Sequence, residues 1–145
     1  MKGIDNWFAI ENIFGDNITF SNATIKNAKY DLLSGTITID IILDCEVKNP
    51  PAKWGKWDKV YIKVDFFCVS EAQFTLKKTL FKIVDFTICE ESEYMYRLNM
   101  QSEVNDKLNF LFGLGRIQNI KPLVYNSKYD RYEVNPFQFN GQTKP

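Results

Sequence analysis

The sequence predicts an α+β fold that is mainly β, with a short N-terminal helix packed on a strongly curved antiparallel β-sheet of about seven to eight strands in meander order. From residue 23 onward, apolar and polar residues alternate in runs that are rich in β-branched and aromatic residues. Helical spacing of apolar residues is convincing only near the N-terminus. A chain of 145 residues can bury a sizeable core without disulfide or metal support. We therefore expect one domain over residues 1–145, with the last few residues flexible.

One helix is predicted, close to the N-terminus. Asp5 or Asn6 can cap its start, and Gly15 provides a plausible end. The apolar residues that recur at helical spacing are Trp7, Ile10, Ile13 and Phe14.

Eight strands are predicted after the helix. The clearest runs from Thr36 to Cys45, where every second residue is apolar, as in a strand with one face in the core. Ser34-Gly35 suits a hairpin turn before it, and we expect another hairpin turn at Gly113-Leu114-Gly115. Residues 91–101 could instead be helical. The predicted strands cover residues 23–32, 36–45, 57–69, 72–76, 80–89, 94–100, 107–112 and 116–124.

The composition disfavours catalysis and nucleic-acid binding. The 18 basic and 18 acidic residues cancel, whereas nucleic-acid binders usually carry a basic surplus. The chain has no histidine, the commonest general base and nitrogen metal ligand, and it lacks the Ser-x-x-Lys and Gly-x-Ser-x-Gly patterns. We expect no enzymatic activity, no cofactor and no metal.

The cysteines and the start of the chain bear on location. Cys45, Cys68 and Cys89 lie far apart in apolar runs and are predicted to be small buried side chains. An odd number of cysteines argues against a secreted disulfide framework. The start has no apolar stretch of signal-peptide length, and no run is long enough to cross a bilayer. We therefore expect a cytoplasmic protein that binds no membrane.

The stretch from Lys48 to Lys59 interleaves four lysines with Trp54 and Trp57. Such a pattern can form a stacking platform for single-stranded nucleic acid. The better interpretation is a loop around Pro50 and Pro51 whose tryptophans pack back onto the sheet while the lysines stay in water.

Four features together resemble one known family. They are Trp7-Phe8 in the opening helix, an amphipathic pair of strands after it, the loop Asn49-Pro50-Pro51-Ala52-Lys53-Trp54, and the following strand from Val60 to Phe66. This arrangement resembles the immunity protein 50 family of bacterial polymorphic-toxin systems, over roughly the first half to two-thirds of the chain. The resemblance implies a cytoplasmic protein that binds a cognate toxin domain and neutralises it by stoichiometric occlusion, without chemistry of its own. We expect it to be monomeric when unbound.

If a toxin is the partner, the outward face of the predicted strands around residues 40 and 65 is our candidate interface. Aromatic side chains on such a face can anchor a partner, and charged ones can steer it. Asp40 and Asp44 are about 13 Å apart along a strand, too far to share a proton, so a catalytic pair is not expected. The candidate partner-binding residues are Asp40, Asp44, Tyr61, Lys63, Asp65 and Phe67.

Two other functions remain open at the level of sequence. A curved sheet lined by apolar residues can carry a small molecule or lipid. Exposed sheet edges can also pair between copies, which would make the chain an assembly module.

Overall fold

The computed structural model describes residues 1–16, 18–77 and 80–134. These residues form one α-helix, α1 (Trp7–Phe14), a 3₁₀ turn (Ala52–Trp54) and ten strands. Neither helical segment has the length and apolar character needed to cross a bilayer. The strands are β1 (Ile4–Asp5), β2 (Thr24–Asp31), β3 (Thr36–Leu43), β4 (Lys59–Phe67), β5 (Ser70–Thr75), β6 (Phe81–Ser92), β7 (Met95–Ser102), β8 (Lys107–Phe112), β9 (Leu114–Asn126) and β10 (Arg131–Val134).

All ten strands belong to one sheet in the order β1-β9-β4-β3-β2-β6-β7-β8-β5, with β10 on β9. The predicted fold class is confirmed, and all eight predicted strands are present. Three details differ. The strands number ten, β1 pairs with β9 in parallel, and only β2-β3-β4 and β6-β7-β8 are meanders. Residues 91–101 are not helical, and the predicted flexible C-terminal residues lie outside the described part of the chain.

The sheet folds over on itself, as the predicted curvature requires. In the sheet order, four strands lie between β4 and β8: β3, β2, β6 and β7. In a flat sheet, β4 and β8 would therefore be roughly 24 Å apart. Yet the Phe66 ring of β4 lies 5.1 Å from Phe110 and 4.9 Å from Phe112 of β8, measured between centroids. The inner faces therefore meet in one core. We call β1, β2, β3, β4, β9 and β10 the first half-sheet, and β5, β6, β7 and β8 the second.

Two connections hold the half-sheets together. On one side, β2 meets β6 through only two residue pairs, Thr24–Lys82 and Ile25–Phe81. On the other, the chain itself crosses twice, from β4 to β5 at Cys68 and from β8 to β9 at Gly113. The antiparallel pairing of these two crossings continues through the bend, because Gly113 N donates to Phe67 O at 2.9 Å.

The predicted hairpin turn at Gly113-Leu114-Gly115 is wrong. Gly113 lies at the bend between the half-sheets, where a Cβ would stand 3.3 Å from that of Cys68. Gly115 lies inside β9, where a Cβ would stand 3.1 Å from Ile4 and 3.2 Å from Phe66. These glycines therefore allow close packing of neighbouring strands, and they do not form a turn.

Helix α1 packs into the core through Trp7, Ile10 and Phe14. Its predicted limits are confirmed, but Asn6 does not cap it through its side chain, since Asn6 adopts a left-handed conformation with φ of 63°. The Asn6 side chain donates instead to Ile117 O of β9 at 3.4 Å. This bond ties the start of the helix to the first half-sheet.

The loop after β3 closes the other end of the helix. The backbone amides of Lys48 and Asn49 both donate to Ile13 O at 3.0 Å. Trp54 is buried and Trp57 packs edge-on against it at 5.7 Å, so the predicted packing of both tryptophans onto the sheet is confirmed.

Candidate partner-binding surface

The predicted interface residues lie mainly on the outward face of β3 and β4. Inward residues of these strands are buried in strict alternation, which leaves the others on the opposite face. In the strand register Asp40 lies opposite Lys63, and Thr38 lies opposite Asp65. We call this surface the strand face: Thr38, Asp40, Ile42, Tyr61, Lys63, Asp65 and Phe67.

The structure brings five of the six predicted residues together on this face. Asp44 is the exception, because β3 ends at Leu43 and Asp44 follows in the exposed loop. The remaining five are half-buried rather than fully exposed. Neighbouring side chains crowd them, so each of the five is only partly accessible to solvent.

Two hydrogen bonds fix the carboxylates of the strand face. Tyr61 Oη donates to Asp40 Oδ1 at 2.6 Å, and Thr38 Oγ1 donates to Asp65 Oδ1 at 2.6 Å. Burial, then the bond and charge of Asp40, raise the pKa of Tyr61 well above its ordinary value. Tyr61 is a donor at neutral pH, as any tyrosine is, and the raised pKa extends this role to more alkaline pH.

Arg116 of β9 connects the strand face to its neighbours. Its guanidinium lies 5.9 Å from the centroid of the Phe67 ring and 3.4 Å from the Asp5 carboxylate. At the other end of the face, Asp40 and Tyr61 border a shallow depression of about 490 Å³ that also includes Lys26 and Tyr132. The face is thus continuous across β1, β9, β4 and β3.

A second polar surface, not predicted from the sequence, covers the outside of the second half-sheet. Strand pairing lines up Thr87, Asn99, Asn109 and Gln73 in one row across β6, β7, β8 and β5. A parallel row comprises Asp85, Gln101, Lys107 and Thr75. Period-two alternation of polar residues in these strands indicates a polar outward face. It does not indicate which residues line up across the sheet, because the paired residues are distant in sequence.

Arg97 holds this second surface in place. Its Nε donates to Glu91 at 2.5 Å, its Nη1 donates to Asn109 at 2.6 Å, and its Nη2 lies 3.4 Å from Glu71. The bond from Arg97 lowers the pKa of the Glu91 carboxyl. One guanidinium therefore joins β5, the end of β6, β7 and β8.

The predicted burial of the cysteines is wrong, because all three are exposed. Cys45 lies beyond the end of β3, and Cys68 lies at the bend with φ of 56°. A bulge between Ile83 and Asp85 shifts the register of β6 and places Cys89 outward. Among the described residues, histidine, cysteine, aspartate and glutamate side chains form no group of three that could hold a metal ion.

A family model described as immunity protein 50 matches residues 6–123. The chain belongs to this family. No curated protein and no solved structure gives a significant match. The matched range runs from the N-cap of α1 into β9, so it includes every strand of the second half-sheet and most of the first. The resemblance is therefore confirmed, and it extends well beyond the first two-thirds of the chain.

Membership of the immunity protein 50 family implies an immunity protein, and hence a protein toxin as partner. It also suggests a non-catalytic role. Both polar surfaces contain side chains that bond to one another, as Tyr61 does with Asp40 and Arg97 does with Glu91.

Proposed function

We propose that the protein binds one cognate toxin domain and neutralises it by stoichiometric occlusion, without chemistry of its own. The observation that carries this proposal is the family match over residues 6–123. The site of action is the cytoplasm of the producing cell, where the toxin would otherwise reach its target. The free protein is a monomer and acts as a single domain.

The packing of the fold supports a role in recognition. Inward side chains of β3, β4 and β8 are buried, and three phenylalanine rings join the two half-sheets. Strands held this firmly lose little conformational freedom when a partner binds, so little free energy opposes association. A surface of this kind favours high affinity with a modest contact area.

The strand face is our proposed interface. Its carboxylates are held at fixed positions by Tyr61 and Thr38, so that a partner meets a set pattern of charge. Fixed charges favour fast, selective encounter more than raw affinity. Asp44, at the border of the face, extends the negative charge toward the loop after β3.

The proposal is tested with the toxin domain encoded beside the gene for this protein. The two proteins should copurify in a one-to-one complex, and co-expression should restore growth of cells that produce the toxin. Failure to bind or protect against every adjacent effector domain would overturn the proposal.

A charge reversal then tests the strand face. Asp44→Lys changes the charge without disturbing the bond between Tyr61 and Asp40, and we expect a several-fold slower association rate. Glu103→Lys is the matched control, since Glu103 is exposed in the turn between β7 and β8, on the second half-sheet. Equal association rates for both variants would remove Asp44 from the interface.

The alternative function, carriage of a small molecule or lipid, receives less support. The space between β4 and β8 is occupied by contacting aromatic rings. A native mass spectrum that shows a bound small molecule would revive this alternative.

A further inference from the structure

The turn between β2 and β3 carries two leucines that contact water almost completely. Leu32 is 80% exposed and Leu33 is 99% exposed. Glycine, asparagine, aspartate and serine dominate such turns, because they satisfy turn geometry and water at the same time. Two adjacent leucines at this position contribute nothing to the core, so their apolar surface is available to a partner.

The turn is held in one conformation despite its exposure. The backbone amides of Leu33 and Ser34 donate to Asp31 Oδ1 at 3.1 and 3.4 Å, and Gly35 N donates to Asp31 O at 2.9 Å. Gly35 O in turn accepts a bond from Val69 N at 2.9 Å. The leucines therefore project from a fixed base, and ordering them on binding costs little.

The same end of the molecule also carries an exposed tyrosine, Tyr94. Val69, whose amide bonds to the leucine turn, follows Cys68 in the bend between the half-sheets. A Cβ on Gly113, in the other crossing of this bend, would contact Cys68 and lie 3.7 Å from the carbonyl oxygen of Tyr94. Tyr94 is 75% exposed. We call this region the loop end: Leu32, Leu33, Cys68, Glu71 and Tyr94.

Three of the seven described non-glycine residues with positive φ lie at the loop end. Cys68, Glu71 and Tyr94 adopt left-handed conformations with φ of 56°, 50° and 65°. Such conformations are unfavourable for residues other than glycine, so packing and hydrogen bonds must hold this part of the chain in place.

The border of the loop end is acidic. Four carboxylates lie around Tyr94 and the bend, namely Glu71, Glu90, Glu91 and Glu93, and the ion pairs found among the described residues join them to two cations, Arg97 and Lys2. Arg97 contacts both Glu71 and Glu91, and Lys2 lies 3.7 Å from Glu90. With Glu93 in the turn, negative charge is left in excess, which favours a partner with basic side chains around its binding site.

We propose that Leu32 and Leu33 insert into an apolar cleft of the toxin whose border is basic, with Tyr94 as a second contact. This inference rests on the proposed function. A second copy of the chain is a poorer occupant, because two convex tips would bury only four leucines, on the order of 400 Å², against roughly 1,200–2,000 Å² in stable interfaces. A cleft surrounds the tip and buries it on all sides.

Calorimetry measures the affinity of the toxin domain, encoded beside the gene for this protein, for the wild-type chain and for single variants. We expect Leu33→Ser and Leu32→Ser each to raise Kd by about 10- to 100-fold, mainly through faster dissociation. Leu80→Ser is the matched control, since Leu80 is another exposed leucine at 62%. It should change Kd by less than about twofold, and all three variants should keep the wild-type Tm because none removes a core contact.

The possible outcomes separate the inference from the proposed function. Binding that is equally tight for all variants overturns the inference and leaves the proposed function standing. No binding by the wild type overturns both. A wild-type dimer in light scattering that Leu33→Ser dissociates would identify a second copy as the occupant and would also overturn the inference.

Discussion

The strand face and the loop end present opposite kinds of surface. On the strand face, polar side chains are half-buried and satisfy one another, as Tyr61 does with Asp40. At the loop end, hydrogen bonds hold the backbone of the turn, whereas the apolar side chains of Leu32 and Leu33 project into water. A few side chains that become fully desolvated carry most of the binding energy of an interface, whereas fixed charges mainly select the partner and speed its approach. Under our two proposals, the loop end supplies affinity and the strand face supplies selectivity.

The two regions share one support, and removing it should damage both. Phe66 of β4 is fully buried, and its ring contacts two phenylalanine rings of β8. Its chain neighbours Asp65 and Phe67 belong to the strand face, and the bend at Cys68 follows directly after them. We expect Phe66→Ala to lower the free energy of unfolding by about 3–5 kcal/mol, because it leaves a cavity between the half-sheets. Urea denaturation followed by tryptophan fluorescence measures this change.

A matched control separates aromatic loss from core loss. Phe8 lies on α1 and is 64% exposed, so Phe8→Ala should change the free energy of unfolding by less than about 0.5 kcal/mol. A loss below about 1 kcal/mol for Phe66→Ala would mean that the half-sheets do not depend on this contact.

The sequence was sufficient to predict the elements but not the surfaces. Alternation identified eight strands, because a half-buried strand such as β3 leaves a period-two pattern. Strand β1 has only two residues, which is too short for any period, and its pairing with Gly115 and Arg116 is a long-range contact. Short strands therefore escape prediction from local pattern.

The surfaces depend on facts that periodicity does not carry. Leu32 lay at the end of a predicted strand, where the sequence gives no reason to expect an exposed leucine. The structure places it in the turn instead, where it is exposed to water. Cys89 was predicted to be buried because it lies in an apolar run, but a bulge shifts β6 by one residue and turns Cys89 outward, and such a bulge leaves no signature in the sequence. The strand face was predictable because five of its residues share the uninterrupted alternation of β3 and β4.

The loop end can be loosened without removing its leucines. Asp31→Ala deletes the acceptor for the amides of Leu33 and Ser34, so the tip must be ordered during binding. We expect Kd for the toxin to rise about tenfold with little change in Tm, since ordering the freed turn opposes association. Asp31→Asn keeps one acceptor oxygen and should raise Kd by only about two- to threefold. Equal Kd values for wild type and Asp31→Ala would show that the tip does not need a fixed base.

The contribution of Asp31 to toxin binding should be lost at acidic pH and should not change toward alkaline pH. Hydrogen bonds from Ser34, then from Leu33, lower the pKa of Asp31 below its ordinary value. The carboxylate acceptor is fully present above its ordinary pKa of about 3.9 and is lost as pH falls through the lowered value. Between about pH 5 and 8, the ratio of the wild-type and Asp31→Ala Kd values should therefore stay constant. A ratio that changes across that range would assign the effect to another group.

On the strand face, the smallest change is loss of one hydroxyl. Tyr61→Phe removes the bond to Asp40 Oδ1 and leaves that carboxylate without its tyrosine donor. We expect a loss of about 1 kcal/mol in the free energy of unfolding and a change in Kd of a few-fold, well below that of the leucine variants. A Kd effect as large as that of Leu33→Ser would reverse the assignment of affinity to the loop end.

Alkaline titration sharpens the same comparison. The raised pKa of Tyr61 means that the folded protein holds this proton more tightly than the unfolded chain, in which tyrosine titrates near pH 10. The resulting stability is fully present below about pH 10 and is lost as pH rises above it, since the unfolded state then binds fewer protons. Wild type should therefore lose stability more steeply than Tyr61→Phe above about pH 10. Parallel curves would show that Tyr61 titrates alike in both states, and the strand face would then lack the fixed bond on which its selectivity depends.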